Sequence, residues 1–184
     1  MKLDTLSIEN FGPYRGQNTI DLRTTAESPV VLFGGKNGAG KTTLFKSVQL
    51  CLHGKSALGR RTSAAEYEQE IREELHDLPN GKAEIASITL QFEYANFGRK
   101  DRYTVMRRWR DRGESIAEEV EIERNGEELS ELDEDQWEDF LKELIPPGVS
   151  QLFFFDGEKV QQLASAIEND AGFEESLRSL LGLE

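Results

Sequence analysis

The start of the chain alternates between apolar and polar side chains around a turn. Leu6 and Ile8 have polar neighbours, Gly12-Pro13 is a turn signal, and residues 19–22 resume an extended pattern. This alternation is typical of strands that bury one face only. We therefore predict a pair of strands at the amino terminus.

A continuous apolar run follows, and then a glycine-rich loop. Residues 29–33, PVVLF, form a run that is typical of a strand buried on both faces. After the loop, residues 42–53 carry apolar side chains at helical spacing, and Gly54 is a stop signal. The pattern predicts a buried strand, a loop and a helix in direct succession.

The middle of the chain predicts a helix and then a β meander. Residues 63–78 have helical spacing with Ser63 as the cap, and Asn80-Gly81 ends them in a turn. Alternating apolar positions then predict three extended segments, and Asn125-Gly126 is a strong hairpin signal. The alternating positions are Ile88, Leu90, Phe92 and Tyr94, then Tyr103, Val105 and, across Arg107, Trp109, and finally residues 120–124.

The last third predicts one more strand among helices. Residues 133–145 form an acidic amphipathic pattern that Pro146-Pro147-Gly148 interrupts. Residues 151–155 are a second short apolar run of the buried-strand type. Residues 159–168 and 173–183 have helical spacing, and the final helix carries an apolar face.

Composition narrows the class of protein. The chain has 184 residues, of which 37% are hydrophobic and 31% charged, and its formal net charge is −13. These values indicate one globular domain and argue against a uniformly basic surface for nucleic acid. No apolar run approaches the roughly 20 residues of a membrane-spanning helix, and no signal-peptide pattern is visible. Cys51 is the single cysteine, which agrees with a reducing compartment. We expect a cytoplasmic protein.

Charge is unevenly distributed along the chain. Acidic residues crowd segments 66–74 and 114–139, for which a solvated face is the favoured interpretation. The predicted hairpin that contains the basic residues between positions 99 and 112 has the charge to contact DNA phosphates, and Trp109 within it is placed to stack on a base. The favoured alternative is a surface strand pair whose arginines balance the nearby acidic segments. The basic residues concerned are Arg99, Lys100, Arg102, Arg107, Arg108, Arg110 and Arg112.

The glycine-rich loop matches a phosphate-binding pattern. Residues 35–42, GKNGAGKT, fit G-x-x-x-x-G-K-[ST] at every fixed position. Gly35, Gly38 and Gly40 allow backbone conformations closed to other residues, so that successive N–H groups can point at phosphate oxygens. A predicted strand before the loop and a predicted helix after it are the context in which this pattern is specific.

The motif predicts an ATP and Mg²⁺ site. Lys41 supplies a catalytic cation for the β- and γ-phosphates, and the Thr42 hydroxyl is a metal ligand. Thr43 either contacts a phosphate or fills the first helical turn, with equal weight. A small P-loop kinase is an alternative interpretation of the motif, and such an enzyme would need an arginine-rich lid. The candidate arginines for a lid, at 107–112, lie on a predicted strand and are therefore poorly placed for that role. The predicted nucleotide contacts are Gly35, Lys36, Asn37, Gly38, Ala39, Gly40, Lys41, Thr42 and Thr43.

Two parts of the sequence resemble known families. Residues 6–14, 18–22 and 31–43 resemble the opening of SMC, RecF and RecN-like ATPases, in which a strand pair precedes the loop. Residues 151–160, QLFFFDGEKV, are similar to the DndD family, the SMC-like ATPase of DNA phosphorothioation systems. The resemblance implies an α/β P-loop NTPase fold. It would be the amino-terminal lobe of an ABC/SMC-like head, with a mixed sheet, an antiparallel meander and flanking helices over residues 1–184.

The resemblance also implies roles for particular residues. Asp156 stands where ABC heads place the glutamine that contacts Mg²⁺ and the attacking water, which makes it a catalytic and metal-binding candidate. A helix cap is the alternative for Asp156, and Glu158 is a weaker candidate. Arg15 and Asn10, near the first turn, are candidates for contact with the adenine.

Other parts of an ABC head have no counterpart in this sequence. No signature motif, Walker B strand or switch histidine is found, and His53 and His76 are not placed for the last role. In SMC-like proteins those parts belong to a carboxy-terminal half-head beyond a coiled coil, which would begin near residues 170–184. The implied partners are that half-head, a second head, DNA and DNA-modification proteins, and no membrane.

The implied function is ATP binding and, with the other half-head, ATP hydrolysis coupled to DNA sulfur modification or DNA repair. The alternative is a nucleotide-gated dimerisation or scaffold module that does not hydrolyse ATP.

Overall fold

The computed structural model describes residues 1–59, 61–96, 98–129 and 134–145. None of the helices in this part is both long and apolar enough to cross a membrane. The elements are β1 Lys2–Phe11, β2 Tyr14–Asp21, α1 Lys41–His53, a 3₁₀ turn Gly54–Leu58, α2 Ala64–Glu74, β3 Asp77–Leu78, β4 Gly81–Lys82, β5 Ile85–Asn96, β6 Arg99–Asp111, β7 Ile116–Arg124, β8 Glu127–Glu128 and α3 Glu134–Leu144.

A six-stranded sheet organises the described part of the chain. Its strand order is β2-β1-β5-β6-β7-β8, and every pairing in it is antiparallel. Strand β1 pairs with β2 on one side and with β5 on the other, where Leu6 lies opposite Leu90 and Ile8 opposite Ile88. The long connection between β2 and β5 carries α1 and α2 across one face of the sheet, where both helices contact β6.

The hydrophobic core lies between α1 and this face of the sheet. Leu6, Ile8, Leu90 and Val105 are fully buried, because alternate residues of each strand point to the same side. Cys51 of α1 lies directly on the sheet, with its Sγ 3.4 Å from the carbonyl oxygen of Val105. Burial raises the pKa of the Cys51 thiol to about 12, so it behaves as a small apolar side chain.

The predicted strand at residues 29–33 is not a strand in the structure. Val30 is 76% exposed and Leu32 is 89% exposed, and the segment has no strand assignment. The prediction was wrong on the described residues because a strand needs a neighbour. No described strand lies beside this run, so its backbone groups have no ladder hydrogen bonds, and of its side chains only that of Val31 is partly buried.

Helix α1 agrees closely with the sequence pattern, whereas β2 and β7 begin several residues earlier than predicted and α2 ends earlier. Helix α2 begins after Ser63 in a full capping box with Glu66, as its cap position predicted. It ends at Glu74, although the pattern predicted helix to residue 78. Pro79 disfavours helix at the preceding residue, and Leu78 instead pairs with Gly81 in a short hairpin.

Arg107 and Trp109 lie inside the protein, which corrects two parts of the DNA-contact hypothesis. Arg107 is 1% exposed and Trp109 is 0% exposed, because both point to the core side of β6 with Val105. Trp109 therefore cannot stack on a base. On the opposite face of the sheet, Arg108 pairs with Glu119 and Arg102 lies near Asp4 and Glu93. Arg102 and Arg108 on the exposed face are therefore balanced by acidic neighbours.

Arg107 is the centre of a buried polar network. Its Nη1 donates to the Glu118 carboxylate, and its Nε donates to the carbonyl oxygen of Cys51 at 3.3 Å. The Tyr67 hydroxyl donates to the same Glu118 oxygen at 2.8 Å and accepts from the Trp109 indole at 3.0 Å. Burial raises the pKa of Tyr67, so this hydroxyl keeps its proton. The network joins α1, α2, β6 and β7.

Replacing Arg107 by alanine is predicted to destabilise the fold by about 3 kcal/mol, because Glu118 then loses its buried partner. Arg108→Ala is the matched control, since it removes a neighbouring arginine whose partner lies on the exposed face. It should change stability by about 1 kcal/mol or less. Urea unfolding of both variants measures the difference, and equal losses would contradict the assigned role of Arg107.

The burial of His53 leads us to predict that the protein loses stability in mild acid. This histidine is 4% exposed at the end of α1, and burial together with the nearby Arg107 charge lowers its pKa to about 4. The unfolded chain binds the proton near pH 6.5, so stability is full above that pH and falls as the pH drops towards 4. Between pH 7 and pH 5 the loss attributable to His53 is about 2 kcal/mol.

The measurement compares unfolding free energies at pH 7 and pH 5 for the wild type and His53→Gln. The variant should lose less stability over this interval than the wild type does. His76→Gln is the matched control, since it changes the other histidine of the chain. An identical pH dependence in the wild type and His53→Gln would contradict the assignment.

Candidate nucleotide-binding loop

The glycines of the loop meet different physical requirements. Gly38 and Gly40 have φ of 80° and 90°, a left-handed conformation that favours glycine. Gly35 is not left-handed, which corrects the expectation that all three need special backbone angles. A Cβ added at Gly35 would lie 3.1 Å from the Cβ of Ala39, so at this position a side chain would be crowded.

Lys41 closes the loop on itself. Its Nζ donates to the carbonyl oxygen of Gly35 at 2.8 Å and to that of Lys36 at 3.0 Å. The amide of Ala39 also donates to the Lys36 carbonyl, at 3.1 Å. The ammonium group thus lies at the loop, where a phosphate bound by the loop amides would meet it.

The amino terminus of α1 fits an anion. Gly40 caps the helix without a side-chain hydrogen bond, and the first turn contains no acidic residue. Helix α2 is the opposite case, since Ser63 and Glu66 occupy its terminal amides. The first N–H groups of a helix carry partial positive charge and need acceptors. In α1 no described side chain caps these groups, and a phosphate group would meet their need for an acceptor.

The two threonines after Lys41 differ in their surroundings. Thr42 is exposed beside the loop, where its hydroxyl is available to a metal ion. Thr43 points at the β1–β2 turn, with its Cγ2 2.6 Å and its Oγ1 3.2 Å from the position of a Cβ on Gly12. This geometry favours packing in the first helical turn as the role of Thr43.

The β1–β2 turn contacts the loop, which sequence reasoning missed. The Tyr14 hydroxyl donates to the carbonyl oxygen of Gly40 at 3.1 Å. Burial raises the pKa of this hydroxyl, so it stays a donor at neutral pH. Asn10 uses its side-chain oxygen to accept from the Gly16 amide at 2.9 Å, a role within the turn, and Arg15 is exposed beside it. The turn signal at Gly12-Pro13 predicted the turn itself, but it did not predict the contact of this turn with the loop.

The remaining predicted site residues lie outside the described part of the chain. Asp156 and Glu158 both belong to the segment after residue 145, as do the predicted strand 151–155 and the helices 159–168 and 173–183. The structure therefore brings together residues 35–43 with the turn at residues 12–14. The position of Asp156 is not described, so its metal-binding role stays a prediction.

The fold and the loop define a P-loop nucleotide-binding domain, and comparison with known proteins gives its family. A family model described as AAA domain matches residues 5–181. The chain belongs to this family. The match supports ATP binding and the α/β fold of an ABC/SMC-like amino-terminal lobe.

Curated relatives give a consistent result. The SbcC component of the nuclease SbcCD from Treponema pallidum (strain Nichols) is 38% identical over 92 residues, or 50% of this chain. Its counterpart from Staphylococcus aureus (strain MRSA252) is 31% identical over 96 residues, or 52% of the chain. The one from Vibrio cholerae serotype O1 (strain ATCC 39315 / El Tor Inaba N16961) is 32% identical over 57 residues, or 31%. The matched parts make up 8%, 8% and 6% of those relatives respectively. These matches support the SMC-like ATPase class.

Alanine at Gly40 is predicted to be more damaging than alanine at Gly38. Both positions are left-handed, which costs a residue with a Cβ about 1 kcal/mol. At Gly40 the new Cβ would also lie 2.7 Å from Pro13 Cγ, whereas nothing lies within 4 Å at Gly38. Overpacking of this kind adds about 1–3 kcal/mol. Thermal or urea unfolding of the two variants measures the difference, and equal stabilities would contradict the tight contact between turn and loop.

Proposed function

We propose that this chain binds MgATP at residues 35–42 as the amino-terminal half of an SMC-like ATPase head that acts in DNA metabolism. The amino terminus of α1 carries the proposal, because it has no described side-chain cap and no acidic residue, and it adjoins the glycine loop that Lys41 contacts. The AAA-domain match over residues 5–181 supports the same conclusion independently.

Each residue of the loop has a distinct task in this proposal. The backbone from Gly35 to Gly40 supplies N–H donors for the phosphates, and Lys41 exchanges loop carbonyls for β- and γ-phosphate oxygens. Thr42 contributes a hydroxyl ligand to Mg²⁺, which neutralises charge on the phosphates when bound. Asp156 is proposed as the further metal-binding and catalytic carboxylate, on its resemblance to the DndD family. The adenine contacts are proposed to involve Arg15.

A partner is proposed on the exposed apolar segment next to the loop. Val30, Leu32 and Phe33 are exposed, and among the described residues no backbone hydrogen bond reaches them. Exposed apolar side chains beside backbone groups without ladder hydrogen bonds are features that strand addition uses. The proposed occupant is the carboxy-terminal half-head, which would supply the signature and Walker B motifs for hydrolysis. Two such complete heads would then close around two nucleotides.

The role in DNA metabolism is proposed from the relatives. Their name is that of a nuclease component, which favours processing or repair of DNA as the setting in which the ATPase cycle is used. The finer proposal of DNA sulfur modification rests on residues 151–160 alone. Direct DNA contact by the basic strand has little support, since Arg107 and Trp109 are buried.

Lys41→Ala is predicted to weaken MgATP binding at least tenfold, because the loss of a charge-assisted hydrogen bond is worth about 1.5–3 kcal/mol. Calorimetric titration measures the affinity, and phosphate release is followed in the same samples. Lys55→Ala is the matched control, an exposed lysine beyond the far end of α1. Binding that survives Lys41→Ala unchanged would overturn the proposed site.

Phosphate release in these samples also distinguishes a hydrolysing ATPase head from a non-hydrolysing scaffold. The proposed half-head binds nucleotide with negligible phosphate release until the other half is added. Nucleotide-dependent association without release after that addition would support the non-hydrolysing scaffold instead.

A further inference from the structure

The turn between β1 and β2 fits closely against the first turn of α1. A Cβ added at Gly40 would lie 2.7 Å from Pro13 Cγ and 3.0 Å from Tyr14 Cε2. A Cβ added at Gly12 would lie 2.6 Å from Thr43 Cγ2. The turn and the helix therefore touch from both sides at positions where only glycine fits.

The carbonyl oxygen of Gly40 is the focus of this contact. It accepts the amide of Leu44 at 2.8 Å, which is the first hydrogen bond of α1. It also accepts the Tyr14 hydroxyl at 3.1 Å, and a carbonyl oxygen has lone pairs for both donors. One side chain from β2 thus fixes the peptide group at which the phosphate loop becomes a helix.

The turn is itself held from its other side. The amide of Gly12 donates to the carbonyl oxygen of Glu74 at 2.6 Å, and Nδ1 of His76 lies 2.8 Å from the carbonyl oxygen of Gly12. The Glu74 carboxylate accepts from Lys46 of α1 at 2.6 Å. Because α1 and the end of α2 both anchor it, the turn is a fixed support and not a free loop tip.

We propose that Tyr14 is a positioning residue for nucleotide binding, acting through Gly40 to hold the amino-terminal amides of α1 in the orientation that receives phosphate. The inference rests on the proposed function, since it assumes that these amides bind ATP phosphates. Tyr14 need not touch the nucleotide. It fixes donors in advance, so that less ordering accompanies binding.

Tyr14→Phe tests the inference because it removes the hydroxyl and keeps the ring. Amide hydrogen exchange followed by NMR, without nucleotide, should show Leu44 exchanging about three- to tenfold faster, the effect of one ordinary hydrogen bond. The affinity for MgATP should fall by a similar factor in calorimetry. Tyr103→Phe is the matched control, because Tyr103 is buried against Phe92, away from the loop. It should leave both quantities unchanged.

The exchange of Leu90, in the centre of the sheet, distinguishes positioning from a general structural role. A general loss of stability would accelerate Leu44 and Leu90 together, and that result would overturn the inference. An unchanged exchange rate of Leu44 in Tyr14→Phe would overturn it too. So would an unchanged MgATP affinity of Tyr14→Phe in an assay in which the wild type binds. Failure of the wild type to bind MgATP would count against the proposed function alone, and the Leu44 and Leu90 rates would then decide the inference.

Discussion

The pairing of β1 with β5 is the constraint on which the rest of the described structure depends. It joins residues about 80 positions apart, such as Ile8 with Ile88, and the chain between them forms β2 at the edge of the sheet and then α1 and α2 on one face. That face is where Leu6 and Leu90 are buried beneath α1. The same pairing fixes the position of the β1–β2 turn. The carboxyl end of β1 lies close in space to the amino end of α1, so the β1–β2 turn contacts the phosphate loop directly.

Helix α1 is consequently held at both ends by groups from the sheet. At its amino end, the Tyr14 hydroxyl bonds the carbonyl of Gly40, and at its carboxyl end Arg107 bonds the carbonyl of Cys51. The two ends have opposite electrostatic needs. The carboxyl end carries partial negative charge, which the buried Arg107 cation complements. The amino end receives no anion from the described residues, so its partial positive charge remains directed at the loop. The protein satisfies one end internally and reserves the other for a ligand.

Local signals predicted most of this arrangement, and long-range contacts account for what they missed. The helix cap at Ser63, the stop at Gly54 and the hairpin at Asn125-Gly126 are each encoded within a few residues, and the structure confirms them. Arg107 was harder to assign. Its charge led to the prediction of a surface position, although it is in phase with the apolar Val105 and Trp109, and the contact with Glu118 explains why it is buried. The bond from Tyr14 to Gly40 spans 26 residues and leaves no periodic trace. The segment at 29–33 failed for the reverse reason, since its apolar pattern encodes a neighbour that the described residues do not provide.

That last failure bears directly on how the loop would work. The loop is supported on its helical side, where Gly40 is buried, while residues 34–39 are exposed and continue from an apolar segment without ladder hydrogen bonds. The carbonyl oxygens of Gly35 and Lys36 accept from Lys41, but any backbone that nucleotide must still fix costs about 1–2 kcal/mol per residue. A strand added along residues 30–33 would order that side before nucleotide arrives. Linkage then requires the reverse effect as well: nucleotide that orders the loop must strengthen the binding of the added strand by the same factor. The helical side of the loop is thus supported within the described structure, whereas on the strand side the proposed partner would gain a means to control nucleotide affinity.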